Sequence, residues 1–248
     1  MSGNRVVWLS PTDPPDAFPD IRLALKEPDG LLAAGGDLDS DRLLAAYVRG
    51  IFPWFDEHQP ILWWSPDPRC ILEPRAFHVS RRLKRSMRQT DAEISVNHAF
   101  SEVIRACSAP RRSQAETWIT PDIIEAYERL HGEGWAHSIE VWTGGTLVGG
   151  IYGLCIGRVF FGESMFSRVD NASKFALLAL SRWLATRDFA CIDCQVASPH
   201  LFTLGAEMIS REKFRRLLDR ACRPATRLSD WPQAALPVSA LCGDAALQ

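Results

Sequence analysis

The chain has 248 residues and carries 28 Lys and Arg against 30 Asp and Glu, which gives a formal net charge of -2. This balance excludes a protein that binds nucleic acid through its overall charge, so only a local basic patch could serve that purpose. With 46% hydrophobic residues, the composition is typical of a folded globular protein rather than a disordered one.

The N-terminal and cysteine patterns predict a soluble, cytoplasmic protein. The first residues contain no apolar segment of the kind found in signal peptides, and no stretch reaches the roughly 18 apolar residues of a membrane span. The seven cysteines are an odd number, and most of them have apolar neighbours. Reduced, packed thiols are therefore favoured over a disulfide framework.

The first part of the chain is predicted to be a small N-terminal domain. Prolines and glycines are frequent up to residue 36, so long regular elements are not expected there. A short helix is predicted from Asp39 or Ser40 to Arg49, with Gly50 as its end signal. We place the domain boundary between Pro60 and Pro68, and divide the chain into residues 1–63 and 64–248.

An aromatic cluster lies next to and within this boundary region, at Trp54, Trp63 and Trp64. Two interpretations are open. The cluster is typical of a packed seam between domains, and it equally fits the wall of a pocket for an aromatic or bulky apolar ligand.

The segment of residues 75–88 contains six basic residues and no acidic one. Ser80 is a plausible N-cap of a helix on which Leu83 and Met87 share the apolar face. The basic side chains form either a solvated helix face or a patch that neutralises a phosphate backbone. Its predicted members are Arg81, Arg82, Lys84, Arg85 and Arg88, with Arg111 and Arg112 as candidates to extend it.

The second half of the chain predicts a mixed sheet. Amphipathic helices are expected over residues 97–109 and from Thr120 to about His131. Three strands joined by tight turns follow over residues 138–161, with glycines that permit bulges and close backbone approach. A buried helix to about Arg187 and a strand over residues 189–196 complete the pattern, before a last, basic helix around residues 210–222. Strands joined by a crossover helix indicate the α+β (mixed α/β) class.

The strand that contains Cys191, Asp193, Cys194 and Gln195 carries the strongest candidate site. Residues two apart on a strand share a face, about 7 Å from each other, so Asp193 and Gln195 are expected to act together. The two cysteines are three apart and point to opposite faces, which argues against a C-x-x-C redox or zinc site. Glu163, at the predicted end of the preceding strand, is either an ion-pair partner for a cationic substrate or a turn residue.

Several blocks in series make a family resemblance specific. The stretches GLLAAGGDL, GIFPWF, ILWWSPDPR, FFGESMFSR, NASK and IDCQV resemble the leucyl/phenylalanyl-tRNA–protein transferases, in the right order and over about residues 21–214. The resemblance implies a small N-terminal domain followed by an acetyltransferase-like (GNAT) domain with a mixed sheet.

The resemblance also implies an activity. Such an enzyme moves Leu or Phe, and less readily Met, from an aminoacyl-tRNA (Leu-tRNA or Phe-tRNA) to proteins with an N-terminal Arg or Lys, which creates an N-degron for protein degradation. The ester of the tRNA stores the energy of the reaction, so neither a cofactor nor a metal is expected. Nothing in the sequence demands more than a monomer.

Site residues are carried over by position. The resemblance makes Asp193 and Gln195 the catalytic pair, with Gln195 either orienting the attacking amine or serving as its formal base. It makes the basic patch the region that meets tRNA. Residues placed around the substrate are Glu163, Trp54, Trp118, Tyr47 and Tyr127, and those placed at the pocket for the amino-acid side chain are Ile151, Phe160 and Leu177.

Two hypotheses from other classes stay open at this point. One is an acyl-CoA-dependent N-acetyltransferase on the same fold, against which the link before Asn171 lacks a Gly-rich pyrophosphate loop. The other is a non-catalytic tRNA-binding module that uses the basic helices.

Overall fold

The N-terminal part of the chain forms a small four-stranded sheet. A computed structural model describes residues 6–109 and 117–243. The spatial order of the sheet is β1-β2-β4-β3. Its strands are β1 (Val7–Leu9), β2 (Leu31–Gly35), β3 (Phe52–Pro53) and β4 (Leu62–Trp64), and helix α1 (Ser40–Tyr47) connects β2 to β3.

An eight-stranded sheet forms the body of the protein, with the spatial order β11-β5-β10-β9-β8-β7-β6-β12. Strands β9 and β10 run parallel, and the other described pairs in this sheet are antiparallel. The strands are β5 (Arg69–Leu72), β6 (Glu93–Val96), β7 (Ala136–Thr143), β8 (Thr146–Ile156), β9 (Val159–Ser167), β10 (Cys191–Gln195), β11 (Glu207–Ile209) and β12 (Leu236–Pro237).

Among the described residues, six helices accompany this sheet, and two of them begin with the side-chain cap predicted from the sequence, at Ser80 and Thr120. The hydroxyls of Ser80, Thr120 and Ser210 each accept a hydrogen bond from a backbone N–H in the first helical turn. The helices are α2 (Arg81–Gln89), α3 (Phe100–Ser108), α4 (Pro121–Gly132), α5 (Ala172–Ala185), α6 (Pro199–Thr203) and α7 (Arg211–Ala221).

The predicted order of three strands, a helix and a strand is confirmed as β7, β8, β9, α5 and β10. The mixed α/β class is confirmed with it. The short strands β5, β6, β11 and β12 were not predicted, because two to four residues show no usable alternation. The predicted close backbone approach is confirmed at Gly153, where an added Cβ would lie 2.1 Å from the Phe161 carbonyl oxygen.

One predicted strand end was wrong. Strand β9 continues past Glu163 to Ser167, because β8 pairs with it as far as Gly149 and supplies backbone partners to the polar residues. Glu163 therefore lies inside a strand rather than in a turn. The following helix ends at Ala185, two residues before the predicted Arg187.

Both faces of the large sheet are buried, each against a different set of elements. On one face, Tyr47 and Trp63 from the N-terminal part share a core with residues of α3, α4, β8 and β9. On the other face, α2, α5 and the C-terminal segment around Trp231 form the second core. The predicted division after residue 63 falls inside β4 (Leu62–Trp64) and stays a prediction.

Within residues 6–109 and 117–243, no helix combines the length and the apolar character that a bilayer span requires.

Candidate active site

A buried ion pair joins two neighbouring strands at the centre of the site. Arg69 on β5 donates two hydrogen bonds to Asp193 on β10, from Nε to Oδ1 at 2.8 Å and from Nη2 to Oδ2 at 2.7 Å. The side chains of Arg69 and Asp193 are only 1% and 0% exposed. The bidentate geometry is the strongest form of such a pair, because both acceptors and both donors are satisfied.

Aromatic rings and a carbonyl complete the surroundings of the Arg69 guanidinium. The rings of Phe52 and Phe214 lie 4.7 and 4.8 Å from its central carbon, and Nη1 donates to the carbonyl oxygen of Gly50 at 3.1 Å. Arg69 therefore connects β5 and β10 to the loop after α1 and to α7. Arg69 was not among the predicted site residues. The available signal was an arginine at the start of the apolar run Cys70, Ile71 and Leu72.

The backbone at Gln195 corrects the predicted contact between the catalytic pair. Gln195 has a φ of 54°, in the left-handed region, and the register with β5 shifts between Asp193 and Gln195. Asp193 Oδ1 accepts a hydrogen bond from the backbone N–H of Gln195 at 3.1 Å, not from its side-chain amide. The simple two-residue alternation fails here because a left-handed residue redirects the chain.

The side-chain amide of Gln195 is poised for a ligand. Its Nε2 atom is buried and has no hydrogen-bond partner among the described residues. A buried donor left unpaired costs about 1–3 kcal/mol, so an accepting group from a substrate would be stabilised here.

Glu163 lies at the centre of a second polar group, made with two buried tyrosines. The Tyr47 hydroxyl donates to Glu163 Oε1 at 2.6 Å, and the Tyr47 and Tyr127 hydroxyls are hydrogen-bonded to each other. Burial raises the pKa of Glu163 to about 8, against the opposing effect of the tyrosine hydrogen bonds. Burial also raises the pKa values of Tyr47 and Tyr127 well above the ordinary value.

The parallel pairing of β9 and β10 brings the two polar groups together. Phe161 lies opposite Asp193, and two residues further along each strand come Glu163 and Gln195. Both line a cavity of about 250 Å³ between the N-terminal part and the large sheet. The residues around this cavity are Phe52, Pro53, Trp54, Trp118, Glu163, Cys194, Gln195 and Val196.

The tryptophans of the aromatic cluster have two different positions, one in the packed core and the others at the wall of a cavity. Trp63 is fully buried in the core, whereas Trp54 is 42% exposed and lines the cavity. Trp54 and Trp118 also border a neighbouring cavity of about 290 Å³, together with Trp64. The cluster is thus both a seam and a pocket wall.

The structure does not bring every candidate residue to this cavity. Tyr47 and Tyr127 lie beneath it, bonded to Glu163 rather than lining it. Ile151, Phe160 and Leu177 are buried in the core on the α5 side of the sheet. Their role in binding an amino-acid side chain stays a prediction.

The cysteines of the C-x-x-C sequence are both free thiols. Cys194 is hydrogen-bonded to Cys70 of β5, and this bond and burial together raise its pKa well above the ordinary value. Within the described ranges, no group of His, Cys, Asp and Glu side chains is arranged to hold a metal ion.

The basic residues of α2 form a charged stripe. All five predicted members, Arg81, Arg82, Lys84, Arg85 and Arg88, are exposed, and none makes an ion pair with a described residue. Helix α7 is different, because Arg215 and Arg216 pair with Glu212, and Arg223 pairs with Asp219. Arg111 and Arg112 lie outside the described residues.

A cleft with aromatic walls beside a carboxyl group and a buried amide fits a site that holds an apolar group next to polar ones. Comparison with known proteins specifies the class. The family model described as leucyl/phenylalanyl-tRNA protein transferase matches residues 71–219, and the model of that family's N-terminal domain matches residues 36–67. The chain belongs to this family.

Related proteins match this chain in sequence over most of their length. A leucyl/phenylalanyl-tRNA–protein transferase from Cellvibrio japonicus is 55% identical over 213 residues, which cover 86% of this chain and 90% of the relative. The protein of the same name from Pseudomonas paraeruginosa is 55% identical over 87% of this chain and 94% of the relative. The one from Alcanivorax borkumensis is 50% identical over 92% and 93%.

Solved structures were compared as well. A ribosomal-protein-alanine N-acetyltransferase from Brucella melitensis biovar Abortus 2308 aligns with a TM-score of 0.34 and 14% identity, over 58% of this chain and 97% of that one. A likeness of this size carries no argument. The mixed α/β class therefore rests on the sheets themselves, and the acetyltransferase-like architecture stays a prediction.

Replacing Arg69 is expected to cost much more stability than replacing an exposed arginine. Arg69→Met leaves the buried Asp193 carboxylate unpaired, and breaking a buried pair in this way costs about 3–5 kcal/mol. The control is Arg75→Met, which breaks an exposed pair with Asp188 and should cost at most about 1 kcal/mol. Urea unfolding of both variants measures the difference. Equal losses would contradict the central role of the buried pair.

Glu163 is expected to make the protein less stable as pH rises. Because its pKa is raised from 4.5 to about 8 in the folded protein, the unfolded chain binds fewer protons over that interval. Stability should therefore fall by about 1.4 kcal/mol per pH unit from this residue. Glu163→Gln removes this pH-dependent contribution to stability. The urea midpoint of the variant should therefore rise relative to that of the wild type as the pH increases from 5 to 8. A difference that does not change with pH would refute this.

Proposed function

We propose that this protein transfers leucine or phenylalanine, and less readily methionine, from an aminoacyl-tRNA to the N-terminal Arg or Lys of acceptor proteins. The product carries an N-degron and is marked for degradation. The observation that carries the proposal is the cavity where the unpaired amide of Gln195 and the carboxyl of Glu163 meet between Trp54 and Trp118. Membership of the transferase family supports the same activity.

Gln195 is assigned the orientation of the reacting groups. An amide is a very poor base, but it has one acceptor and two donors. Its Oε1 accepts a hydrogen bond from the attacking α-amine, and the buried Nε2 donates to the ester carbonyl as negative charge develops there. The left-handed backbone of Gln195 fixes the direction in which this amide points.

Asp193 is assigned a positioning role. Its carboxylate already accepts two hydrogen bonds from Arg69 and one from the backbone of Gln195. Both carboxylate oxygens are engaged in these bonds, and Asp193 does not line the cavity. It acts on the reaction through the backbone of Gln195.

The α2 stripe is assigned to the tRNA. Its exposed cations have no acidic partner in the described chain, so they are available to phosphates, whereas those of α7 are largely neutralised by Glu212 and Asp219. Beside the stripe lies a cavity of about 500 Å³, and its lining includes Arg82 and Arg85 as well as Asp91, Asp170 and Asn171, the residue before α5.

The remaining assignments have more general support. Ile151 packs near Gly162, next to Glu163, which suits a wall behind the amino-acid pocket, with Phe160 and Leu177 in the same core. The free thiols suit a reducing, cytoplasmic compartment. We further propose that the protein acts as a monomer, with residues 1–63 as its small N-terminal domain and residues 64–248 as an acetyltransferase-like catalytic domain.

A transfer assay tests the activity directly. The purified protein, labelled Phe-tRNA and a peptide with N-terminal Arg should give a labelled peptide, and the same peptide with an acetylated N-terminus should give none. Gln195→Ala should lower the single-turnover rate by about 10²–10³-fold, as for the loss of one donor to a developing oxyanion.

Two outcomes would overturn the proposal. If the wild-type protein leaves the peptide unlabelled, the proposed transferase activity is refuted. If the protein instead acetylates the peptide from acetyl-CoA, an acetyltransferase is favoured. A near-normal single-turnover rate for Gln195→Ala would refute both proposed roles of Gln195, as the orienting group and as the formal base.

The α2 stripe is expected to govern the affinity for tRNA and not the chemical step. Arg81→Gln combined with Arg85→Gln should raise the KM for aminoacyl-tRNA and reduce the salt dependence of binding by roughly 0.7–0.9 log units per lost phosphate contact. The value of kcat should stay close to wild type. The matched control replaces the ion-paired Arg215 and Arg216 of α7 by Gln. An equal effect on KM in the control would contradict the assignment.

A further inference from the structure

Among the described residues that line the substrate cavity, one carries a carboxyl group, Glu163. Of the cavity's eight lining residues, Glu163 and Cys194 are the ones that titrate. The hydrogen bond to Cys70 and burial raise the pKa of the Cys194 thiol well above its ordinary value. Gln195 is an amide, and Asp193 does not line the cavity and is closed off by Arg69. The attack of an amine nevertheless requires that a proton leave its nitrogen.

Three tyrosines from three elements surround Glu163 on its protein side. Tyr47 of α1 donates to its Oε1 at 2.6 Å, and Tyr127 of α4 is bonded to Tyr47. Tyr152 of β8 is fully buried and its hydroxyl has no hydrogen-bond partner in the described structure. The charged groups that act on Glu163 are Asp193 and Arg69, whose effects on its pKa oppose each other. Within residues 6–109 and 117–243, no cationic side chain forms an ion pair with the Glu163 carboxyl.

We propose that Glu163 is the proton acceptor of the transfer reaction, and that Tyr47 and Tyr127 position its carboxyl group toward the cavity. This inference rests on the proposed function and adds a catalytic residue to it. Glu163 lies beside Gln195 across the parallel strands β9 and β10, so one residue removes the proton while the other orients the nitrogen and the ester carbonyl.

The step balances in protons and bonds. The Glu163 carboxylate takes one proton from the acceptor's α-ammonium, which leaves a neutral amine and a carboxylic acid. The nitrogen lone pair forms the new C–N bond and the C–O bond of the ester breaks. The second nitrogen proton passes to the ribose oxygen that leaves, and the Glu163 carboxyl then returns its proton to solvent.

The proton affinities of the two groups are well matched. Burial raises the pKa of Glu163 to about 8, and a free α-amine has a pKa of about 7.7–8.0. Proton transfer between them is therefore close to thermoneutral, which is the condition under which a base is most effective near neutral pH. A carboxyl with an ordinary pKa would return the proton to the amine.

Single-turnover kinetics across pH test the role of Glu163. Glu163→Gln keeps an oxygen for the Tyr47 hydrogen bond but cannot take up a proton, and should lower the rate at pH 7 by about 10²-fold or more. Glu163→Ala should be equally slow, and added formate should restore part of its rate in a saturable manner, because formate supplies a carboxylate to the vacated space. A purely structural role for Glu163 gives no such rescue.

The tyrosines are tested by the position of the pH profile. The hydrogen bond from Tyr47 lowers the pKa of Glu163, so Tyr47→Phe should move the rising limb of the pH–rate profile to higher pH. A loss of rate without a shift of the limb would overturn the positioning role.

The matched control is Glu140→Gln. Glu140 is also a fully buried carboxyl, held by the hydroxyls of Ser95 and Ser138, and it does not line the cavity. Its variant should transfer phenylalanine at a rate within about threefold of wild type, a spread ordinary for a change that leaves the reacting groups in place. If the wild type makes labelled peptide and Glu163→Gln does so at the same rate and with the same profile, the inference fails while the proposed function stands. If the wild type makes none, both fail.

Discussion

The buried pair of Arg69 and Asp193 is the interaction on which the rest of the site depends. Removing two charges from water is costly, and their attraction repays that cost only when the geometry satisfies every donor and acceptor. Here the guanidinium reaches Asp193, the carbonyl of Gly50 and two aromatic rings. It thereby fixes the end of β10 against β5 and against the loop of the N-terminal part. The cavity lies between those elements, so its shape follows from this one pair.

The same pair divides the chemical roles in the cavity. With its charge balanced by Arg69, Asp193 holds the backbone of Gln195 and leaves the amide free for a substrate. Glu163, two residues past the partner of Asp193 on the parallel strand, has tyrosine hydroxyls as neighbours instead of a guanidinium. Two carboxyl groups within one site thus have different partners: Asp193 is held in a buried ion pair, and Glu163 faces the cavity beside tyrosine hydroxyls.

The basic residues on the surface also differ in their partners. Although the net charge is only -2, the protein has two basic helices, and they differ in whether their basic residues have acidic partners on the same helix. Helix α7 carries its own acidic partners at helical spacing, which neutralise much of its field. Helix α2 has none, so its five cations present a local positive surface in a protein that is acidic overall. A polyanion would therefore bind at this surface and would not be attracted electrostatically to the rest of the protein.

The sequence by itself determined the order of the principal strands and helices, the caps at Ser80 and Thr120, and the importance of β9 and β10, because hydrophobic periodicity and capping are local properties. Only the tertiary structure decided which side chains meet. Arg69 is 124 residues from Asp193 and Tyr47 is 116 from Glu163, and no local pattern relates residues at such distances. The alternation rule that placed Asp193 and Gln195 on one face of the strand failed for a related reason. A left-handed residue at the strand's end is stabilised by the buried carboxylate and its distant arginine, and both belong to the folded chain.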